Sequence, residues 1–207
     1  MSDFKAALKA LYRQSSDQVL FDMAMGKTIR HGAIIASHIF QHRWRKYLST
    51  FSELTHIDDE HNGLLLYKPV EWAFDRAKVC IEVIDGELRF HLLDSDLTQV
   101  TLKDVAKEIK WYNVAEEEVS MMTFGDLNGR LVEFPPNTVI RPSRRLLSLH
   151  AHASWIFSKT LYPDHHIPRL IYDITHDHSN DNLTMTIIRS IDKWKRSSRS
   201  GKLLIGI

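Results

Sequence analysis

The fold of this chain is decided by three short stretches that follow one another within residues 29–94. They read Ile35-Ala36-Ser37-His38-Ile39, Asn62-Gly63-Leu64-Leu65-Leu66 and Glu71-Trp72-Ala73-Phe74-Asp75. Residues 29–40 are rich in β-branched and aromatic residues and are broken by Gly32, which predicts a short hairpin that ends at His38. Asn62-Gly63 is a strong turn signal. Pro69 then predicts the first turn of a helix, where its missing N–H costs nothing.

Outside these stretches, helix and strand signals are mixed, which predicts an α+β fold. Apolar residues at helical spacing predict helices over residues 4–23, 101–111 and 142–161, and an interruption of the first near Ser15-Ser16 stays open. The apolar runs around Asp85-Gly86 predict a hairpin over residues 79–93, because this dipeptide suits the positive φ angles of a tight turn. Residues 162–207 predict a loop, a last helix and a basic tail. The chain has 207 residues, which fits one compact domain with an extension.

Composition excludes several classes of protein. Cys80 is the only cysteine, so the sequence predicts no internal disulfide framework and no zinc site built on cysteines. No segment approaches eighteen uncharged apolar residues, and the start lacks a basic region followed by an apolar one. We therefore expect an intracellular protein that does not enter a membrane.

Charge is distributed unevenly although the net charge is only +1. Residues 23–52 contain no acidic residue and carry five basic ones, namely Lys27, Arg30, Arg43, Arg45 and Lys46. Contacts with phosphate groups depend on such local clusters more than on global charge. The cluster is therefore compatible with a nucleic-acid partner, and the alternative is a solvated surface.

The three stretches also contain the side chains that phosphodiester hydrolysis needs. A histidine such as His38 can take a proton from an attacking water. Glu71 and Asp75 are four residues apart, so their carboxylates project from one side of a helix. Oxygen ligands favour magnesium or manganese over softer metals. Asn62 is suited to holding the loop through its side-chain amide.

Taken in order, the stretches and the hairpin over residues 79–93 resemble the HNH endonuclease family. The resemblance covers about residues 29–94, less than a third of the chain. It implies a ββα-metal finger in which His38 is the general base, Asn62 fixes the loop, and Glu71 and Asp75 bind a divalent ion, Mg²⁺ or Mn²⁺. It further implies a nuclease domain over residues 1–161, with a helical extension over residues 95–161.

The same resemblance favours DNA as the substrate, and the sequence leaves open whether RNA is cut. Three basic side chains would then flank the bound phosphate, namely Arg43, Arg45 and Lys46. The sequence leaves open whether two copies of the chain act together as a homodimer.

Two positions depart from the family pattern. Glu71 stands where the family has its last histidine, and Ser37 stands before the base, where many members place an aspartate or histidine ligand. The ligand set can be completed by one of four other side chains, Asp58, Asp59, His42 or His61. The sequence does not choose among them.

Two alternatives to a nuclease remain at this point. One is a catalytically altered relative that serves as a nucleic-acid or protein interaction module, which Glu71 and Ser37 favour. The other is a structural α+β protein with chance motif matches. The histidine-rich loop that follows residue 161 is more simply explained by exposure than by metal binding. It contains His165, His166, His176 and His178.

Overall fold

Short helices and three two-stranded antiparallel sheets alternate along residues 3–12, 14 and 18–161, which are the residues that the computed structural model describes. The strands are β1 (Val19–Asp22), β2 (Lys27–Arg30), β3 (Ile34–His38), β4 (Gly63–Tyr67), β5 (Val79–Ile84) and β6 (Glu87–Leu92). The α-helices are α1 (Asp3–Leu11), α2 (Leu48–Phe51), α3 (Lys68–Asp75), α4 (Leu102–Glu108), α5 (Glu117–Ser120), α6 (Phe124–Leu127) and α7 (Arg144–Leu161). This mixture confirms the predicted α+β class. The loop, helix and basic tail predicted over residues 162–207 lie outside the described residues.

The first predicted helix is shorter than its apolar spacing indicated. Helix α1 ends at Leu11, and Val19 begins strand β1, which pairs with β2. The turn between the strands is closed by Gly26 at φ +64° and by Asp22 Oδ1, which accepts a hydrogen bond of 2.7 Å from the Met25 amide. The prediction of a helix through residue 23 is therefore wrong, because this local turn favours a hairpin over the helical alternative.

Strand β3 pairs with β4 rather than within a hairpin of its own. His38 lies opposite Gly63, and Ile34 lies opposite Tyr67. The hairpin predicted inside residues 29–40 is therefore wrong, since β2 pairs with β1 instead. All five residues of β4 are buried, so an unbroken apolar strand contributes to the core on both of its faces.

Helix α3 follows β4 directly and begins as its sequence predicts, with a proline in the first turn. Near its end, the Phe74 ring stacks on His150 of α7 with centroids 3.7 Å apart. Further along the chain, the predicted hairpin is confirmed as β5 and β6, and Thr101 and Asp104 form a capping box at the start of α4. None of the helices in the described residues is long and apolar enough to cross a membrane.

Helix α1 packs against the end of the β3–β4 pair that carries His38. A Cβ atom on Gly63 would lie 2.5 Å from Leu8 Cδ2 and 2.8 Å from Phe4 Cζ. Glycine at this position therefore permits the close approach of α1. As a result, the side chain of His38 has an aromatic neighbour from the start of the chain.

Candidate active site

His38 lies at the last position of β3 and is held on two sides. Its ring stacks on Phe4 with centroids 3.9 Å apart and planes 7° apart. Its Nε2 atom lies 2.8 Å from Asp58 Oδ1. An ionised carboxylate only accepts hydrogen bonds, so Asp58 favours the tautomer with a proton on Nε2 and a lone pair on Nδ1. With 21% of its side chain exposed, His38 stays accessible to water.

Asn62 is fully buried just before β4, and its amide is used within the protein. Its Oδ1 accepts a hydrogen bond of 2.7 Å from the Phe40 amide. Its Nδ2 donates to the carbonyl oxygens of Phe40 at 3.0 Å and Ile57 at 2.8 Å. These three bonds fix the segment that follows His38 to the loop that precedes β4. Asn62 is therefore a positioning residue in this structure.

Glu71 and Asp75 lie on α3 and already have polar neighbours. Glu71 is 8% exposed, and its Oε2 lies 2.6 Å from Lys68 Nζ. The side-chain amide of Gln41 donates to both the carbonyl oxygen and Oδ1 of Asp75 at 3.4 Å. Burial, together with repulsion from the Glu71 carboxylate, raises the pKa of Asp75 to about 6. The two carboxyl groups are therefore close enough to influence each other.

The predicted phosphate-binding side chains lie on a 3₁₀ helix, His42–Tyr47, shortly after His38. Arg43, Arg45 and Lys46 are all exposed there. The Arg43 guanidinium lies 4.8 Å from the centroid of the Trp44 ring, and Lys46 Nζ lies 4.7 Å from that of Tyr47. Aromatic rings beside cationic groups are a common arrangement on surfaces that bind nucleic acid.

A comparison with protein families identifies the segment that contains these residues. The family described as HNH endonuclease matches residues 18–82. Residues 18–82 are therefore similar to the HNH endonuclease family. The family segment runs from just before β1 into β5 and includes β3, β4 and α3, which confirms the resemblance seen in the sequence. No curated protein and no solved structure matches the chain.

HNH nucleases generally use divalent metal ions. The side chains of the candidate site must therefore be compared with the ligands that such an ion needs. Among the described residues, no group of three or more histidine, cysteine, aspartate or glutamate side chains could hold a metal ion. Glu71 is already paired with Lys68. Ser37, which stands before the base, has a buried hydroxyl with no hydrogen-bond partner in the described structure. The donor set therefore does not fit a divalent ion, and the ligand roles of Glu71 and Asp75 stay a prediction.

The four side chains that the sequence left open as further ligands do not converge on α3. Asp58 contacts His38. Asp59 accepts from the amide of His61 and lies 2.9 Å from its Nδ1. His42 meets the edge of the His38 ring at a centroid distance of 6.0 Å. Three of these side chains thus interact with histidines of the HNH segment rather than with Glu71 or Asp75.

Sequence reasoning missed two neighbours of the site, Lys68 and Phe4, and considered Asp58 only as a metal ligand and not as the partner of His38. Lys68 carried a usable signal, because it lies three residues before Glu71 on a predicted helix and must share its face. Neither Asp58 nor Phe4 carried a signal for its contact with His38. They are 20 and 34 residues from His38, and only the tertiary fold brings them to its ring.

Proposed function

We propose that the chain is a nuclease that hydrolyses phosphodiester bonds of DNA with His38 as the general base. The observation that carries the proposal is the contact of His38 Nε2 with Asp58, within a segment that matches the HNH endonuclease family. That contact favours a lone pair on Nδ1, which is the atom that would take the proton from water. A general base typically contributes about a hundred- to ten-thousand-fold to the rate.

The proposed step uses the residues around His38. Water gives its proton to Nδ1 of His38 and forms a bond to phosphorus, while the bond to the leaving oxygen breaks and that oxygen takes a proton from a second water molecule. The positive charge that His38 gains is stabilised by the Asp58 carboxylate. Phe4 and Asn62 maintain the orientation of the ring and of the segment after it. The exposed cationic groups of the 3₁₀ helix would bind the phosphates of the substrate.

We further propose that β3, β4 and α3 are the ββα finger of the family. Two features support this assignment. The three elements follow one another in the order strand, strand, helix, and His38 lies at the end of the first strand. Use of Mg²⁺ or Mn²⁺ and an intracellular location are further predictions from the sequence, which leaves a homodimeric state open.

A second candidate function is a catalytically altered HNH-fold module that binds nucleic acid or protein without cleaving it. The ion pair of Lys68 with Glu71 favours this candidate, because it uses a carboxylate at the position where the family has a histidine. The two candidates differ in one measurable property, which is cleavage.

Supercoiled plasmid distinguishes the two. The purified chain would be incubated with plasmid in Mg²⁺, Mn²⁺ or EDTA, beside His38→Ala and Glu71→Ala. The matched control is His56→Ala, which removes an exposed histidine in the loop between β3 and β4. The nuclease predicts nicking that His38→Ala loses and His56→Ala keeps. Retardation of plasmid without nicking would instead support a module that binds nucleic acid. A chain that neither nicks nor retards plasmid would contradict the nuclease and the nucleic-acid-binding module.

A further inference from the structure

We infer that the Lys68 ammonium group takes the place of a divalent cation beside Glu71 and Asp75, so that the wild-type chain binds no metal ion between these carboxylates. The inference concerns the face of α3 that carries Lys68, Glu71 and Asp75 in the proposed nuclease. It rests on the contacts of that helix and holds whether or not the chain cleaves DNA.

The helix places the three side chains on one stripe. Lys68, Glu71 and Asp75 are spaced by three and then four residues, and this spacing puts them on the same face. The contact between Lys68 Nζ and Glu71 Oε2 is 2.6 Å, and the Glu71 side chain is only 11% exposed. A charge-assisted contact of this length, largely shielded from solvent, is among the stronger polar contacts in proteins.

The charges around Asp75 point to the same conclusion. Three basic side chains, Lys68, Arg43 and Arg76, lie close enough to Asp75 to interact with its carboxyl group, as does the Glu71 carboxylate. An incoming divalent ion would meet net positive charge, which repels it.

A metal ion would also have to displace a lysine that is held from a second side. Lys68 Nζ lies 6.0 Å from the centroid of the Trp111 ring, a distance at which the ring attracts a cation. Removing the ammonium group would leave two nearby carboxylates with hard oxygen donors. One or two carboxylates together with water are a common ligand set for Mg²⁺ and Mn²⁺.

Binding of Mn²⁺ to the full chain, measured in the absence of DNA by the loss of the free-ion electron paramagnetic resonance signal, tests the inference. We expect no binding by the wild type that depends on Glu71 or Asp75. Lys68→Met keeps the apolar stem without the charge, and we expect it to bind Mn²⁺ at least about tenfold more tightly than the wild type. The double variant Lys68→Met/Asp75→Asn should lose this gain. Lys107→Met, on the exposed side of α4, is the matched control and should behave as the wild type.

Two results would overturn the inference. One is Mn²⁺ binding by the wild type that Glu71→Gln or Asp75→Asn abolishes. The other is a folded Lys68→Met chain with no gain in affinity. Lys68→Gln provides a second neutral variant if methionine prevents folding. Plasmid cleavage does not enter the measurement, so failure of the inference and failure of the proposed nuclease are distinguishable.

Discussion

His38 and Asn62 lie at the two ends of the connection between β3 and β4, but their surroundings give them different tasks. His38 is partly exposed and in the proposed nuclease takes the proton on Nδ1, whereas Asn62 is buried and uses its amide in hydrogen bonds to the backbone. Replacing His38 should therefore affect mainly the rate of cleavage, and replacing Asn62 should affect mainly the stability of the fold.

Asn62→Ala should lower the free energy of unfolding by roughly 2–4 kcal/mol, because it leaves buried backbone groups of Phe40 and Ile57 without partners. Urea denaturation of the wild type and the variant measures this difference. His38→Ala should change the free energy of unfolding by less. An Asn62→Ala chain as stable as the wild type would show that the amide does not hold the loop.

Asp58→Ala should slow DNA cleavage by roughly 10- to 100-fold, a typical cost of removing a side chain that orients a functional histidine. We expect the loss in kcat and not in KM, because Asp58 contacts His38 and would act through the proposed base. Steady-state cleavage of a fluorescent duplex measures both constants. Glu60→Ala, in the same loop, is the control.

At the scale of elements, the proposed activity should depend on how α1 packs against the β3–β4 pair. Gly63→Ala should force Leu8 or Phe4 away, since a Cβ would lie within 3 Å of both side chains. We expect a loss of roughly 1–3 kcal/mol in the free energy of unfolding, together with slower cleavage through displacement of Phe4 from His38. Gly32→Ala is the matched control, because its nearest neighbour would be 3.7 Å away. Equal effects of the two substitutions would contradict this role of Gly63.

Elements with complete local signals could be predicted from sequence. Helix α3 has its proline, α4 has its capping box, and the β5–β6 hairpin has Asp85 and Gly86, which adopt φ angles of 49° and 81°. The pairing of β3 could not be predicted in this way, because its partner follows after a connection of 24 residues. Apolar spacing also gave a wrong prediction for β1, because its four residues fit either a helix or a strand.

The candidate site likewise contains residues that the sequence predicts and contacts that only the structure shows. His38 and Asn62 could be found from their order along the chain and from the family pattern. The contacts that decide what they can do, with Asp58, Phe4 and Ile57, come from tertiary packing. The environment of Glu71 also required the structure, although the position of Lys68 was already visible in the sequence.

At the scale of the whole molecule, burial couples folding to pH through three carboxyl groups of the described residues. Burial is the largest cause in each case, and it raises the pKa of Asp22 and Asp75 to about 6 and that of Glu82 to about 7. The folded state therefore keeps these protons to a higher pH than the unfolded chain does. Their contribution to stability is complete below the ordinary carboxyl pKa, near 4, and is lost as the pH rises through 6 to 7.

Glu82→Gln tests this coupling. Glutamine keeps the shape and removes the buried charge, so the variant should be more stable than the wild type by roughly 1–3 kcal/mol at pH 8 and similar to it at pH 4. Thermal unfolding at the two pH values measures the difference. Glu87→Gln, whose side chain is 51% exposed on β6, should show no such dependence. A stabilisation that is the same at both pH values would contradict the role of Glu82.

Chemical rescue of His38→Ala tests the proposed general base most directly. The rate of plasmid nicking would be measured for the wild type, for His38→Ala, and for His38→Ala with added imidazole, after thermal unfolding has shown that the variant is folded. The proposal predicts a loss of about a hundred- to ten-thousand-fold, partly restored by imidazole acting as the missing base. A folded His38→Ala chain that nicks plasmid as fast as the wild type would contradict it.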